Sequence, residues 1–172
     1  MMIKLTLTAI AGALLTFTGG CTTTYDQQTC PNADTSAFEV YVAVDKPDAD
    51  GFTRELDVPK NDVNIHTGIV DKLYLQPTPL LTTAHVKQAV YKKNHTPAQI
   101  EVMLNKAGQQ VLHKNADLVV NHYLVTFSDG QVKGIVLSHI SDIPYIPISV
   151  QGRSAQEIQD QVARINKATC GK

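Results

Sequence analysis

Two apolar runs, HYLVTFS (122–128) and QVKGIVL (131–137), are separated by Asp129-Gly130 alone. A two-residue connection between strands demands positive φ at its centre, which Asp-Gly supplies at low cost, so this stretch is committed to an antiparallel hairpin. With that pair at the turn, Tyr123, Val125 and Phe127 are expected to share a face with Val132 and Val136, and Leu124 to share the other with Ile135. Apolar residues on both faces place the hairpin inside its sheet rather than at a rim.

The rest of the chain alternates strand and helix signals. FEVYVAV (38–44) is β-branched, aromatic and nearly continuous in apolarity, as a buried strand is, and opens the folded part. Residues 45–72 are rich in Asp, Pro, Gly and Lys and read as loops with an edge hairpin, followed by a strand at LYLQ (73–76) that Pro77 and Pro79 stop. In LLTTAHVKQAV (80–90), Thr82 is placed to cap a short helix, with Leu81 and Val86 spaced as a hydrophobic staple. AQIEVML (98–104) reads as a strand, Asn105 as a cap, and Ala107 to Val119 as a second helix. IPYIPISV (143–150) is a strand whose prolines confine it to an edge. Ser154 and Glu157 form a capping box ahead of Ala155, Ile158, Val162 and Ile165 at helical spacing. The expected fold is one α+β domain, a single mixed or antiparallel sheet with about three helices packed on it.

Ahead of the domain lies a short leader. Lys4 gives a positive start, Leu5 to Phe17 an apolar stretch too short to span a bilayer, and Thr18, Gly19 and Gly20 small residues before Cys21. This is similar to the lipobox of bacterial lipoproteins, which implies a diacylglyceryl group on the Cys21 thiol and cleavage ahead of it. Thr18 stands where such sites usually carry leucine, and an ordinary signal peptide is the alternative. Thr22 is not the aspartate that retains such proteins at the inner membrane, so the resemblance implies the periplasmic face of the outer membrane. The expected organisation is therefore a signal peptide at 1–20, a polar tether at 21–37 and the domain at 38–170.

Losing residues 1–20 removes Lys4 from 15 basic residues against 16 acidic ones, so the mature net charge is 14 minus 16, or −2. Nucleic acid needs clustered Lys and Arg and is excluded as a partner, and no polybasic patch helps hold a membrane, leaving the lipid as sole anchor. Cys30 and Cys170 remain, at the two ends of the mature chain in a compartment that permits disulfides. A bond between them fastens both termini to one body and is worth up to roughly 5 kcal/mol by chain entropy; two unpaired thiols are the alternative.

Signals for chemistry are absent. His66, His85, His95, His113, His122 and His139 include no pair at the spacing of ligands on one helical face, and no HExxH, GxSxG or phosphate-binding glycine loop occurs. His122 and His139 approach one another diagonally in the expected hairpin, without a third ligand. Asp45, Asp48 and Asp50 do not complete a calcium loop. Catalytic residues, metal and cofactor are therefore expected to be none.

From Phe38 onward the chain resembles the head subdomain of the first periplasmic domain of SecD, the accessory subunit of the bacterial preprotein translocase. The segments that carry the likeness are FEVYVAV, LTTAHVKQA, IEVMLNKAGQQVL, FSDGQVKGIVLSHI and ISVQGRSAQEIQDQVARIN, in that order. The resemblance implies a detached, non-catalytic module that contacts a protein or an extended polypeptide in export or envelope biogenesis. The proton-using transmembrane helices of the translocase have no counterpart in the sequence. Tyr145, Ile146 and Ile148, on the proline-bearing edge strand, are the expected partner-binding edge. A structural envelope lipoprotein, or an immunity or inhibitor lipoprotein, is the alternative function.

Overall fold

Strand β1 (Glu39–Val44) alternates its burial between two directions, and the molecule is laid out around it. Val40 and Val42 enter one apolar cluster and Tyr41 and Ala43 another, as the period-two geometry of a strand requires. The computed structural model describes residues 35–47, 51–58, 70–139 and 144–169.

Nine strands form two antiparallel sheets among the described residues. In the first, β2 (Arg54–Asp57), β3 (Lys72–Leu75), β1, β7 (Tyr123–Ser128) and β8 (Gln131–Leu137) lie in that order, and β4 (Leu81–Thr82) adds to β1. The second holds β5 (Val86–Lys92), β6 (Gln99–Leu104) and β9 (Tyr145–Ser149). The α+β class stands as read, but its strands are divided between two sheets instead of forming one. Three helices, α1 (Lys106–Lys114), α2 (Ala116–Val119) and α3 (Ala155–Ala168), complete it. The larger apolar cluster joins Val40, Val42 and Leu124 of the first sheet to Ile100, Val102, Ile146 and Ile148 of the second and to Leu112, Ile158 and Ile165 of the helices. The smaller one lies on the other face of the first sheet, with Leu73, Leu75, Val125, Phe127 and Ile135. There the sheet curls, bringing the Arg54 guanidinium from its rim over the Tyr41 and Phe127 rings, 5.2 and 5.5 Å from their centroids.

The hairpin forms at Asp129-Gly130, with φ of 52° and 72°. Its register departs from the simple one. Phe127 faces Val132, but Thr126 faces Gly134, so Lys133 is an extra residue in a bulge. From there the pairing is displaced by one, and each side chain changes face. Ile135 thus joins Val125 and Phe127 in the smaller cluster instead of sharing a face with Leu124, and Val136 turns away from it. The hairpin is also only half interior: β7 lies between β1 and β8, while β8 is at the rim. Residues 45–72 hold one edge strand, β2, at the other rim, and its antiparallel partner is β3, the strand expected at LYLQ, so the hairpin is not contained within 45–72.

The helix expected over 80–90 is one turn, Thr83–His85, and the chain then extends into β5. Thr82 stands at the N-cap without a standard side-chain cap bond and Leu81 and Val86 are both buried, but VKQAVYK pairs with β6 and that ladder overrides the local start. The Thr83–His85 turn is tied on every side. Phe38 N–H donates to Thr83 Oγ1 at 3.1 Å, Asn105 N–H to His85 O at 2.9 Å, and Asn105 Nδ2 to Ala84 O at 2.8 Å. Asn105 caps α1 as expected, its Oδ1 accepting from Gly108 N–H at 2.9 Å. The second helix breaks at Asn115, whose Nδ2 donates to Val111 O at 2.8 Å, leaving α2 as a separate turn.

The capping box of α3 forms, with Ser154 N–H donating to Glu157 Oε2 at 2.7 Å and Glu157 N–H to Ser154 Oγ at 3.2 Å. These bonds from the Ser154 backbone and hydroxyl hold the Glu157 carboxyl below its ordinary range. Near the other end, Asn166 reaches the free side of β5. Ala89 N–H donates to Asn166 Oδ1 at 2.7 Å and Asn166 Nδ2 to Ala89 O at 3.0 Å, the two bonds a neighbouring strand would make.

A Cβ on Gly108 would stand 2.6 Å from His85 O, a backbone atom that cannot step aside. Gly108→Ala is therefore expected to destabilise the domain by about 1–3 kcal/mol, against a helix-propensity gain of up to about 1 kcal/mol. Gly134→Ala, where the nearest atom is Pro147 O at 3.7 Å, should change stability by less than about 1 kcal/mol. Urea unfolding followed by circular dichroism compares the two.

Candidate functional site

Strand β9 is where the expected partner-binding edge falls, and the structure puts it at a rim of its sheet, paired to β6 on one side. Leu104 N–H donates to Pro144 O at 3.0 Å, and the alternation of an antiparallel ladder then turns the backbone groups of Tyr145, Pro147 and Ser149 to the other side. Pro147 has no N–H to offer there, which is the position an edge strand allows it. The side chains divide by the same alternation. Ile146 and Ile148 are 2% and 0% exposed and belong to the core, whereas Tyr145 is half-buried on the opposite face. Of the three expected residues, Tyr145 alone offers a side chain outward.

The outer side of β9 meets the rim of the first sheet, where Gly134 of β8 approaches Pro147 O. At the other end of β8 the strand comes clear of its cover. Val136 and Leu137 are 40% and 41% exposed, the large apolar side chains left exposed among the described residues. Because neighbours on a strand point to opposite faces, exposure of both means that this end of β8 is open above and below. Ser138 N–H donates inward to His122 O at 2.9 Å, so the Leu137 backbone groups face outward.

The outer face of the second sheet carries Gln99, Glu101 and Met103, while Ile100, Val102 and Leu104 point into the core. Glu101 sits at its centre, 7% exposed. Its Oε1 accepts from Gln99 Nε2 at 3.3 Å and lies 3.3 Å from His95 Nδ1, with Lys92 Nζ 4.0 Å from Oε2. A shielded carboxylate needs such partners, and this set leaves it satisfied. Neither Glu101 nor Asn166 was singled out from sequence. The signal for Glu101 was available in AQIEVML, whose alternate positions are polar or sulfur-bearing; nothing marks Asn166, whose partner lies 77 residues away.

The remaining expected residues disperse. The His122 ring stacks on Phe52 with centroids 6.2 Å apart, and its Nδ1 lies 3.1 Å from Val120 O. His139 is exposed and His85 closes a turn. No group of three or more His, Cys, Asp or Glu that could hold a metal occurs among the described residues. Cys21, Cys30, Cys170, His66, Asp48 and Asp50 lie outside the described residues. No described helix is long and apolar enough to cross a membrane.

The two apolar pairs predict opposite behaviour. Ile148→Ala should cost about 2–5 kcal/mol through the cavity it leaves, and Leu137→Ser less than about 1 kcal/mol, as read from denaturation midpoints.

No protein-family model and no curated protein matches this sequence. Solved structures do. One described as a membrane component SecDF that enhances protein export aligns at 17% identity and a TM-score of 0.49, covering 80% of this chain and 64% of its own. A crystal structure of SecDF in super-membrane-facing form aligns at 17% identity and a TM-score of 0.50, covering 80% of this chain and 19% of its own. The chain thus spans less than two thirds of either SecDF chain, and what it shares with the super-membrane-facing form, as the five sequence segments implied, is a SecD-like fold.

Proposed function

We propose that the chain is a non-catalytic binding module, held by a lipid on Cys21 at the periplasmic face of the outer membrane, that contacts a protein partner through an extended segment. The observation that carries this reading is the uncovered end of β8. An edge strand with exposed apolar side chains on both faces and outward backbone groups presents what strand addition requires: hydrogen-bonding groups for affinity and side chains for register. Tyr145, the outward member of the neighbouring rim, supplies an amphipathic ring of the kind favoured in protein contacts. The SecD-like fold adds support, since SecDF is described as enhancing protein export. The leader ending at Cys21 supports the anchor, with Cys30 and Cys170 bonded as a clasp between the termini.

Photo-crosslinking groups placed at Leu137 and at Tyr145 in intact cells should capture a protein adduct that the same group at Gln156, exposed on α3, does not. Absence of any adduct from both positions removes the reading. Mass analysis of the mature protein should find an acylated Cys21 at its N-terminus, and Cys21→Ser should release the protein from the membrane fraction.

A further inference from the structure

We infer that the Thr83–His85 turn is an acid-sensitive latch, in which the neutral His85 ring accepts the Thr82 N–H and protonation of that ring loosens the joint between β1, β5 and α1. Thr82 N–H donates to His85 Nδ1 at 3.0 Å, and Thr82 Oγ1 lies 3.3 Å from the same nitrogen. A ring nitrogen that accepts a hydrogen bond carries no proton, so this geometry selects the Nε2-protonated neutral tautomer. An imidazolium has two donors and no acceptor, and would set Nδ1–H against the Thr82 N–H. The ring occupies the place that glutamate takes in a capping box, with the difference that glutamate keeps its acceptor down to far lower pH.

The surroundings resist charge on the ring. His85 is half-buried, and burial pushes it below its ordinary value of 6.5. The N-terminal end of α1, positive in its partial charge, abuts the His85 carbonyl through Asn105 N–H. The ionisable residues on the packed elements are Glu39 and Tyr41 on β1, Lys87, Tyr91 and Lys92 on β5, and Lys106, His113 and Lys114 on α1, with Lys92 at the far end of β5 beside Glu101. Glu39 Oε2 accepts from Tyr41 OH at 3.3 Å, Lys87 and Lys106 are exposed, and His113 and Lys114 are at the far end of α1. The turn at Thr35–Ala37 and strand β4 contain no ionisable residue.

The joint has no slack to absorb a displaced ring. His85 O bonds Asn105 N–H and leaves no room for a Cβ on Gly108, while Thr83 Oγ1 holds the Phe38 backbone. Moving one residue of the turn therefore moves the start of β1 and the cap of α1 together. The sign follows from linkage. A histidine whose folded-state value is lowered binds its proton more readily once the joint opens, so the closed joint is favoured above 6.5 and loses stability as pH falls below it.

Amide exchange measured at about pH 7.5 and about pH 5, corrected for intrinsic rates, should show Thr82 and the first turn of α1 losing protection by about tenfold at the lower pH. In His85→Gln, whose side-chain oxygen remains an acceptor at both values, the change should be less than about twofold. Equal protection at both values in the unaltered protein, or an equal loss in the variant, overturns the latch. If His85→Gln does not fold, the imidazole nitrogen shifts of the unaltered protein decide. A bare Nδ1 at neutral pH with a midpoint below 6.5 upholds it, and a protonated Nδ1 or a midpoint at or above 6.5 overturns it.

Discussion

Burial of β1 on both faces is the constraint from which the rest of the molecule follows. Each residue from Val40 to Ala43 is 5% exposed or less, and successive side chains leave a strand in opposite directions. One short strand must therefore be covered twice. The second sheet and the helices cover Val40 and Val42, and the curl of the first sheet encloses Tyr41 and Ala43. The curl in turn accounts for the placement of Arg54, a charged residue on the outermost strand whose guanidinium caps two aromatic rings of the sheet.

The two layers are joined by polar contacts as well as by the core. The Thr83–His85 turn connects β4 of the first sheet to β5 of the second; its hydroxyl binds the backbone at the start of β1, its carbonyls the Asn105 cap of α1, and its ring Thr82 of β4. A second connection runs through Arg153, which donates to Gln161 Oε1 on α3 and, at 3.5 Å, to Lys133 O in the bulge of β8. The bulge is thus a feature with a partner. It turns Ile135 into the smaller core and presents a carbonyl that the guanidinium takes up.

Much of this was legible because it is encoded locally. The Asp129-Gly130 turn, the Asn105 cap, the Ser154–Glu157 box and the edge character of IPYIPISV each rest on residues within a few positions of one another. What escaped was decided at a distance. The bulge at Lys133 is marked in QVKGIVL only by the glycine within the strand, yet it exchanges the faces of Ile135 and Val136 and so decides which apolar residues are exposed. VKQAVYK suits either a helix or a strand, and its pairing with β6 made the choice. Division of the strands into two sheets is likewise a matter of tertiary packing. The candidate contact surface was legible in part: the edge and Tyr145 follow from the prolines and the alternation, but the open end of β8 follows only from the bulge and from where β9 crosses.

Asn166 has a consequence for how copies of this domain tolerate one another. A sheet rim is a template on which an identical rim can zip, and the hazard grows with local concentration. By giving Ala89 both of the bonds a visiting strand would seek, one carboxamide makes that rim appear already occupied. The β5 rim is thereby interrupted at Ala89, and an identical rim approaching there finds no ladder to extend.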